Sequence, residues 1–212
     1  MSTASEVPVR PAATIVLMRG DAPEVLLLLR HGQHGFMPNI WVFPGGRVEA
    51  TDGEGDLGAR RAAVRETREE AGVVLAEDTW LGELPRWVTP VGEKRRFDTR
   101  FFAACVPVDC CATADQSEVI DALWLTPAAA LERHGEGKLA LAPPTWWSLE
   151  ILRRLGTVDA VRAWTDTTPV ARIEPKLALE AGGVTVNAVD IAVPGEPVSG
   201  RLSLVKGVWR HA

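Results

Sequence analysis

The sequence contains no tyrosine, few cysteines and no long apolar run. The cysteines, at positions 105, 110 and 111, are too few and too close together for a disulfide framework, so we expect reduced thiols in a reducing compartment. The longest purely aliphatic run, residues 25–29, is far too short to span a membrane. The first residues contain no apolar signal segment. We therefore expect a cytoplasmic protein with no membrane partner.

Basic residues are in the minority, with 23 lysines and arginines against 28 acidic residues and a net charge of −5. This balance argues against broad nucleic-acid binding, although a local basic patch would still bind phosphates. Apolar residues make up 46% of the 212 positions and charged residues 24%, which is enough to bury a core. The length suits one good-sized domain, alone or with an appendage.

Short apolar segments and helical patterns alternate along the chain. Strands are predicted at 12–19, 24–30, 40–43, 97–108 and 119–126, and helices at 57–71, 127–135 and 143–156. The first helix is closed by Gly72. We predict an α+β fold, with a mixed β-sheet sandwiched between helices. Residues 1–156 would form the main domain, and residues 157–212 a strand-rich extension packed on it.

A charged block, RETREEAG, ends the first predicted helix. Glu66, Glu69 and Glu70 stand three and four residues apart, so they share one helix face. Carboxylates crowded on a partly buried face repel one another, and their pKa values rise unless a cation compensates. Hard oxygen ligands suit Mg²⁺ or Mn²⁺, which also bridge substrate phosphates. The alternative is a solvated surface helix, because such charged strings are common there.

A glycine turn before the helix favours the metal site. The turn at Gly45-Gly46 would bring a bare backbone near the glutamates, where a carbonyl could complete the coordination. Arg65 lies beside the cluster and would orient one glutamate.

The stretch from Phe43 to Val73 resembles the signature of the Nudix hydrolase family. In that signature a glycine, five residues, a glutamate and seven residues precede RE-x-x-EE-x-G. The matching residues are Gly46, Arg65, Glu66, Glu69, Glu70 and Gly72. Eighteen residues separate Gly46 from Arg65, whereas the signature has thirteen. Counted back from Arg65, the glutamate position falls on Leu57, so we assign no residue to it. The longer segment Glu49–Gly58 is predicted to be a flexible, functional insertion.

The resemblance implies a Nudix fold and a metal-dependent pyrophosphohydrolase that cuts a nucleoside-diphosphate-linked substrate into two monophosphates. The implied ligands of Mg²⁺ or Mn²⁺ are the Gly46 carbonyl, Glu66, Glu69 and Glu70. Glu66 is our first choice of general base. Arg65 and Glu118 complete the predicted catalytic group. Nudix proteins often have a loop glutamate that reaches the metal site, and a plain surface glutamate is the alternative for Glu118.

The wider frame, from GGRVEATD to RRFDTRFFAA, resembles the coenzyme A and acyl-coenzyme A diphosphatases over roughly residues 11–155. Coenzyme A carries a 3′-phosphate that calls for a fixed cation. The predicted substrate contacts are Arg47, Arg95 and Arg96, with Trp87 stacking on a base. A solvated loop and a core tryptophan are the respective alternatives for residues 92–100 and Trp87.

Several alternatives stay open at this stage. The substrate could be another nucleotide diphosphate, or the chain could be a Nudix-fold module that senses a nucleotide without cutting it. His31 and His34, in the loop before the site, are either surface residues or substrate contacts. A homodimer is also open.

Overall fold

The computed structural model describes residues 7–32, 38–76, 78–180 and 183–211. Of the two loop histidines, His34 lies outside these ranges. The strands are β1 (Val9–Arg19), β2 (Glu24–Arg30), β3 (Trp41–Val42), β4 (Gly45–Arg47), β5 (Gly82–Val88), β6 (Arg96–Cys105), β7 (Val119–Leu125), β8 (Arg172–Ile173), β9 (Lys176–Glu180), β10 (Gly183–Asn187), β11 (Arg201–Val205) and β12 (Val208–His211). The helices are α1 (Gly55–Ala71), α2 (Pro127–Gly135), α3 (Pro143–Leu155) and α4 (Val158–Thr167).

The described strands form two sheets. In the larger one the order is β3-β2-β1-β6-β5-β8, with β4 also paired to β1 and β7 to β2. Strands β1 and β6 run parallel, whereas β2 and β4 run antiparallel to β1, so this sheet is mixed. The smaller sheet is antiparallel and contains β9 to β12. The predicted α+β architecture, with a mixed sheet, helices and a strand-rich C-terminal part, is confirmed.

Side chains of β1 alternate between two buried layers. Ala13, Ile15 and Leu17 face the layer that contains α1, whereas Val16 and Met18 face the layer that contains α3. Helix α1 presents its own alanines to the sheet, namely Ala59, Ala62 and Ala63, and all of them are buried. Small side chains allow a close approach of helix and sheet. The last turns of α1 are therefore held firmly beside β4, which pairs with β1.

Helix α1 begins two residues before the predicted start and ends where Gly72 was predicted to close it. Gly72 adopts the left-handed conformation with φ of 67°, and its N–H bonds to the Arg68 carbonyl at 3.0 Å. The prediction of a flexible insertion at Glu49–Gly58 is wrong. A 3₁₀ turn covers Ala50–Asp52, and the first turn of α1 covers most of the remainder. The Glu49 N–H donates to the Asp52 carboxylate at 2.8 Å, which fixes this turn.

The C-terminal strands share a core with α2 and α3. The Trp209 N–H of β12 donates to His134 Nε2 at 2.8 Å, so the protonated Nδ1 of His134 donates to the Leu139 carbonyl, also at 2.8 Å. Trp147 Nε1 donates to the Ser199 carbonyl at 2.8 Å. The boundary between residues 156 and 157 stays a prediction. No helix in the described ranges is long and apolar enough to cross a membrane.

Candidate active site

The Gly45-Gly46 turn contacts two glutamates of α1. The Gly45 N–H donates to Glu70 Oε2 at 2.9 Å. A Cβ atom on Gly46 would lie within 3.0 Å of both carboxylate oxygens of Glu66. Any side chain at position 46 would therefore push Glu66 away, and only glycine allows the backbone to approach this carboxylate. The predicted proximity of this turn to the carboxylates is observed.

Arg65 holds several groups around the same point. Its Nη1 donates to Glu66 Oε1 and to Glu69 Oε2, both at 2.9 Å. Its Nε and Nη2 donate to the two carboxylate oxygens of Asp52 at 3.0 Å, and Nη2 also donates to the Arg47 carbonyl at 3.0 Å. Arg65 was expected to orient one glutamate and in fact contacts two. Because a planar guanidinium has a fixed set of donors, these contacts fix the relative positions of its partners.

Asp52 is a site residue that our sequence analysis did not assign. It is only 5% exposed, and its hydrogen bonds from Arg65 lower the pKa of its carboxyl group. Counted forward from Gly46, Asp52 occupies the acidic position of the family signature. The count back from Arg65 falls on Leu57 instead, which is exposed. The forward count was thus the signal for Asp52, and it places the additional residues between Asp52 and Arg65, at the start of α1.

Burial makes the carboxylates of the site costly to ionise. Glu70 is 5% exposed, and burial raises its pKa to about 8, despite the hydrogen bond from Gly45. Burial also raises the pKa of Glu66, and the hydrogen bond from Arg65 only partly offsets this effect. Such groups lack sufficient positive charge nearby, which a bound cation would supply.

Two further residues lie close to the cluster. Glu118, in the turn before β7, raises the pKa of both Glu66 and Glu70 by charge repulsion. The structure therefore brings Glu118 to the site. Arg30, at the end of β2, acts on Glu70 in the opposite direction and lowers its pKa. Arg30 is half-buried, and its guanidinium has no hydrogen bond or ion pair with any residue that the structure describes. Our sequence analysis missed it.

The donor set fits a hard divalent cation in its chemistry. Within the described ranges, no three histidine, cysteine, aspartate or glutamate side chains are arranged as a finished metal site. Arg65 donates hydrogen bonds to Glu66 and Glu69, and the Gly45 N–H donates to Glu70. The donors are nevertheless carboxylate oxygens beside an open backbone, and two of them have pKa values raised by burial. Mg²⁺ and Mn²⁺ prefer such oxygen ligands.

Two predicted substrate contacts are contradicted by the structure. Trp87 is 4% exposed, and its ring packs on Trp147 with centroids 4.8 Å apart, so neither face is open to a base. Arg96 is 6% exposed, and its guanidinium binds the Glu174 carboxylate and the Thr89 carbonyl. It is therefore not free to bind a phosphate. Arg47 and Arg95 are exposed, and their contact with a substrate stays a prediction.

Comparison with known proteins agrees with this fold. Residues 8–143 match the family model of the NUDIX domain, and the chain belongs to the Nudix family. A Caenorhabditis elegans protein called nudix hydrolase 7 is 30% identical over 184 residues, which cover 71% of this chain and 62% of that protein. The acyl-coenzyme A diphosphatase NUDT19 of Xenopus laevis is 27% identical over 232 residues, which cover 64% and 61% of the two chains.

The chain thus spans about three-fifths of the length of these curated relatives. Among solved structures, a NUDIX hydrolase from Alicyclobacillus acidocaldarius superposes with a TM-score of 0.68 at 25% identity. The superposition covers 78% of this chain and 99% of the other.

The buried Glu70 carboxyl predicts an unusual pH dependence of stability in the metal-free protein. Its pKa rises from 4.5 to about 8 on folding, so the folded state binds a proton more tightly than the unfolded state. The free energy of unfolding should therefore fall as the pH rises from 4.5 to 8, by up to about 5 kcal/mol. Urea unfolding in EDTA at pH 5 and pH 8 measures this decrease.

Glu70→Gln is the matched control, because it removes the titrating group and keeps the shape. The decrease between pH 5 and pH 8 should be smaller in this variant. Equal decreases in both proteins would contradict the prediction. Adding Mg²⁺ at pH 8 should restore stability to the wild type and not to the variant.

Proposed function

We propose that this chain is a pyrophosphohydrolase that requires Mg²⁺ or Mn²⁺ and cleaves coenzyme A or an acyl-coenzyme A into two monophosphates. The observation that carries the proposal is that Glu66 and Glu70 lie directly against the backbone of Gly45 and Gly46. The similarity to the NUDT19 diphosphatase supports the choice of substrate. Nudix hydrolases in general use divalent metal ions, which agrees with the donor set.

The proposed chemistry uses the carboxylates in two ways. Glu66, Glu69, Glu70 and the Gly46 carbonyl would hold the metal ion, which would neutralise charge on the diphosphate and lower the pKa of the attacking water. Glu66 accepts a proton from the attacking water. At the same time the water oxygen bonds to phosphorus, and the bond between phosphorus and the bridging oxygen breaks. Arg65 holds Glu66 and Glu69 in place during metal binding and during proton transfer. Arg47 and Arg95 are proposed substrate contacts, with Arg95 near the 3′-phosphate.

A substrate panel tests the function. Coenzyme A, an acyl-coenzyme A, dephospho-coenzyme A and ADP-ribose should be incubated with the protein and Mg²⁺ or Mn²⁺. We expect the coenzyme A compounds to be cleaved fastest, EDTA to abolish cleavage, and added metal to restore it. Cleavage of ADP-ribose alone would overturn the coenzyme A assignment. Binding of these compounds without cleavage under any metal would overturn the enzymatic function and favour a nucleotide-sensing module.

Arg30 is the arginine that we propose for the diphosphate itself. It lies within electrostatic reach of Glu70 and lacks a partner among the described residues, so its charge is free for a phosphoryl oxygen. A charge-assisted hydrogen bond of this kind contributes about 1.5–3 kcal/mol, so Arg30→Gln should lower kcat/KM by ~10- to 150-fold.

The control for this prediction is Arg133→Gln, which removes the same charge from an exposed position on α2. It should leave kcat/KM near the wild-type value. Because the diphosphate is common to all the substrates, Arg30→Gln should affect coenzyme A and dephospho-coenzyme A equally. An unchanged kcat/KM for Arg30→Gln would exclude this role.

A further inference from the structure

The segment between β6 and β7 attaches to the end of the catalytic helix. The Thr113 N–H donates to the Ala71 carbonyl at 2.9 Å, and the Asp115 N–H donates to the Glu70 carbonyl at 3.1 Å. The last carbonyls of an α-helix have no partner within the helix, so these bonds satisfy groups that would otherwise need water. The segment is therefore attached to the last turn of α1, which carries Glu69 and Glu70.

The side chain of Asp115 organises the turn that follows. One of its carboxylate oxygens accepts the Val119 N–H at 2.9 Å, the Glu118 N–H at 3.1 Å and the Ser117 N–H at 3.2 Å. The Ser117 hydroxyl donates to the other oxygen. A single carboxylate thus gathers three successive backbone N–H groups, which fixes the path of the chain from residue 115 to residue 119.

Glu118 is fixed by this turn on both sides. Its N–H binds Asp115, and its carbonyl accepts the His31 N–H at 2.9 Å. Val119, the next residue, pairs with Arg30 of β2. The Asp115 N–H binds the Glu70 carbonyl, so the turn that carries Glu118 lies at the end of α1, beside the glutamate cluster. The position of this carboxylate relative to the cluster therefore depends on two anchors, namely the carboxylate of Asp115 and strand β2.

We propose that Asp115 is a positioning residue that ties Glu118 to the end of α1, so that the Glu118 carboxylate takes part in the chemistry of the glutamate cluster. The proposal rests on the function proposed above. The Asp115 carboxylate is already occupied by the N–H groups and the hydroxyl of its own turn, so it acts through Glu118. The Asp115 N–H joins the turn to the same helix that carries Glu66, Glu69 and Glu70.

A double-mutant cycle on kcat tests the proposal. Glu118→Gln should lower kcat by about 10²-fold, as expected for loss of a proton-transferring or charged catalytic group. Asp115→Ala should lower kcat by ~10- to 100-fold, as for loss of a group that orients another. The double variant should be no slower than Glu118→Gln alone, because both changes remove the same contribution. KM should change less than threefold in each variant.

Two controls separate positioning from general damage to the loop. Asp115→Asn keeps an acceptor oxygen for the Val119 and Glu118 N–H groups, so it should recover most of kcat. Asp109→Ala removes an exposed carboxylate from the same segment and should leave kcat unchanged. A wild-type kcat for Asp115→Ala would overturn the proposal. Losses that multiply in the double variant would overturn it as well.

If no substrate of the panel is cleaved, the affinity for Mn²⁺ in the absence of substrate tests the proposal instead. Asp115→Ala and Glu118→Gln should weaken Mn²⁺ binding by the same factor, with no further loss in the double variant, as measured by electron paramagnetic resonance titration. Amide hydrogen exchange of Val119 should be faster in Asp115→Ala than in the wild type. Wild-type Mn²⁺ affinity in Asp115→Ala would overturn the positioning role. If the wild type cleaves no substrate but the variants weaken Mn²⁺ binding equally, only the proposed function is overturned.

Discussion

Glu66→Gln should lower kcat by about 10²- to 10⁴-fold while the protein keeps its fold. Glutamine has the size of glutamate but cannot accept the proton of an attacking water, and loss of a general base has an effect of this order. Glu66 already lies against Gly46 and accepts a hydrogen bond from Arg65, so the amide fits into the same space. Steady-state kinetics with the fastest substrate of the panel, together with thermal unfolding, measures both parts of the prediction.

Glu54→Gln is the matched control, since Glu54 precedes the first residue of the same helix and is exposed. It should retain the wild-type kcat. A wild-type kcat in Glu66→Gln would exclude Glu66 as the base and would direct attention to Glu118. A large fall in Tm for Glu66→Gln would mean that the charge of Glu66 supports the fold through Arg65.

Asp52→Ala should have the largest effect on stability among the site variants. The change removes two hydrogen bonds to Arg65 and the acceptor of the Glu49 N–H, and it leaves a largely buried guanidinium with less negative charge around it. Breaking a buried ion pair by removing one partner costs about 3–5 kcal/mol. For a chain of this size, Tm should fall by roughly 6–20 °C.

Asp56→Ala provides the comparison, because the Asp56 carboxylate pairs with Arg60 and Arg100 but is 58% exposed, so solvent screens both ion pairs. Its cost should stay below about 1 kcal/mol. The pH gives a second check. The pKa of Asp52 is lowered by its hydrogen bonds from Arg65, so its contribution to stability is present above pH 3.8 and is lost as the pH falls through the folded-state pKa. Equal unfolding free energies of Asp52→Ala and wild type at pH 7 would contradict the role of Asp52.

The parts of the site that follow from local sequence could be predicted. Helix α1, its closing Gly72 and the common face of Glu66 and Glu70 depend on helix periodicity and on a glycine at the helix end, which are local properties. The approach of Gly46 to this helix also followed from a local signal, because two glycines after a proline leave the backbone bare. These residues make up the centre of the proposed site.

The residues that sequence analysis missed depend on pairings between distant segments. Arg30 reaches the cluster because β2 runs beside β7, and the sequence does not show the register of that pair. Asp115 acts on Glu118 only because its segment attaches to the end of α1. Asp52 is different, since a count from the other end of the signature would have found it.

The two wrong substrate contacts have a common cause. Trp87 lies in β5, and Arg96 is the first residue of β6; the C-terminal part of the chain and α3 cover both. Trp147 of α3 packs on Trp87, and Glu174, just after β8, binds Arg96. An aromatic or basic residue is exposed or buried according to what covers it, and residues far along the chain decide this.

The contacts of Trp209 have a consequence for the order in which the protein is made. A ribosome releases the chain from its amino end, so α1, which carries the proposed catalytic glutamates, leaves the exit tunnel well before β12 is synthesised. Trp209 is then added to the core. Its backbone N–H donates to His134, and its ring N–H donates to the Leu141 carbonyl at 2.9 Å. A nascent chain that already carries every proposed catalytic residue therefore still lacks the strand that completes its core.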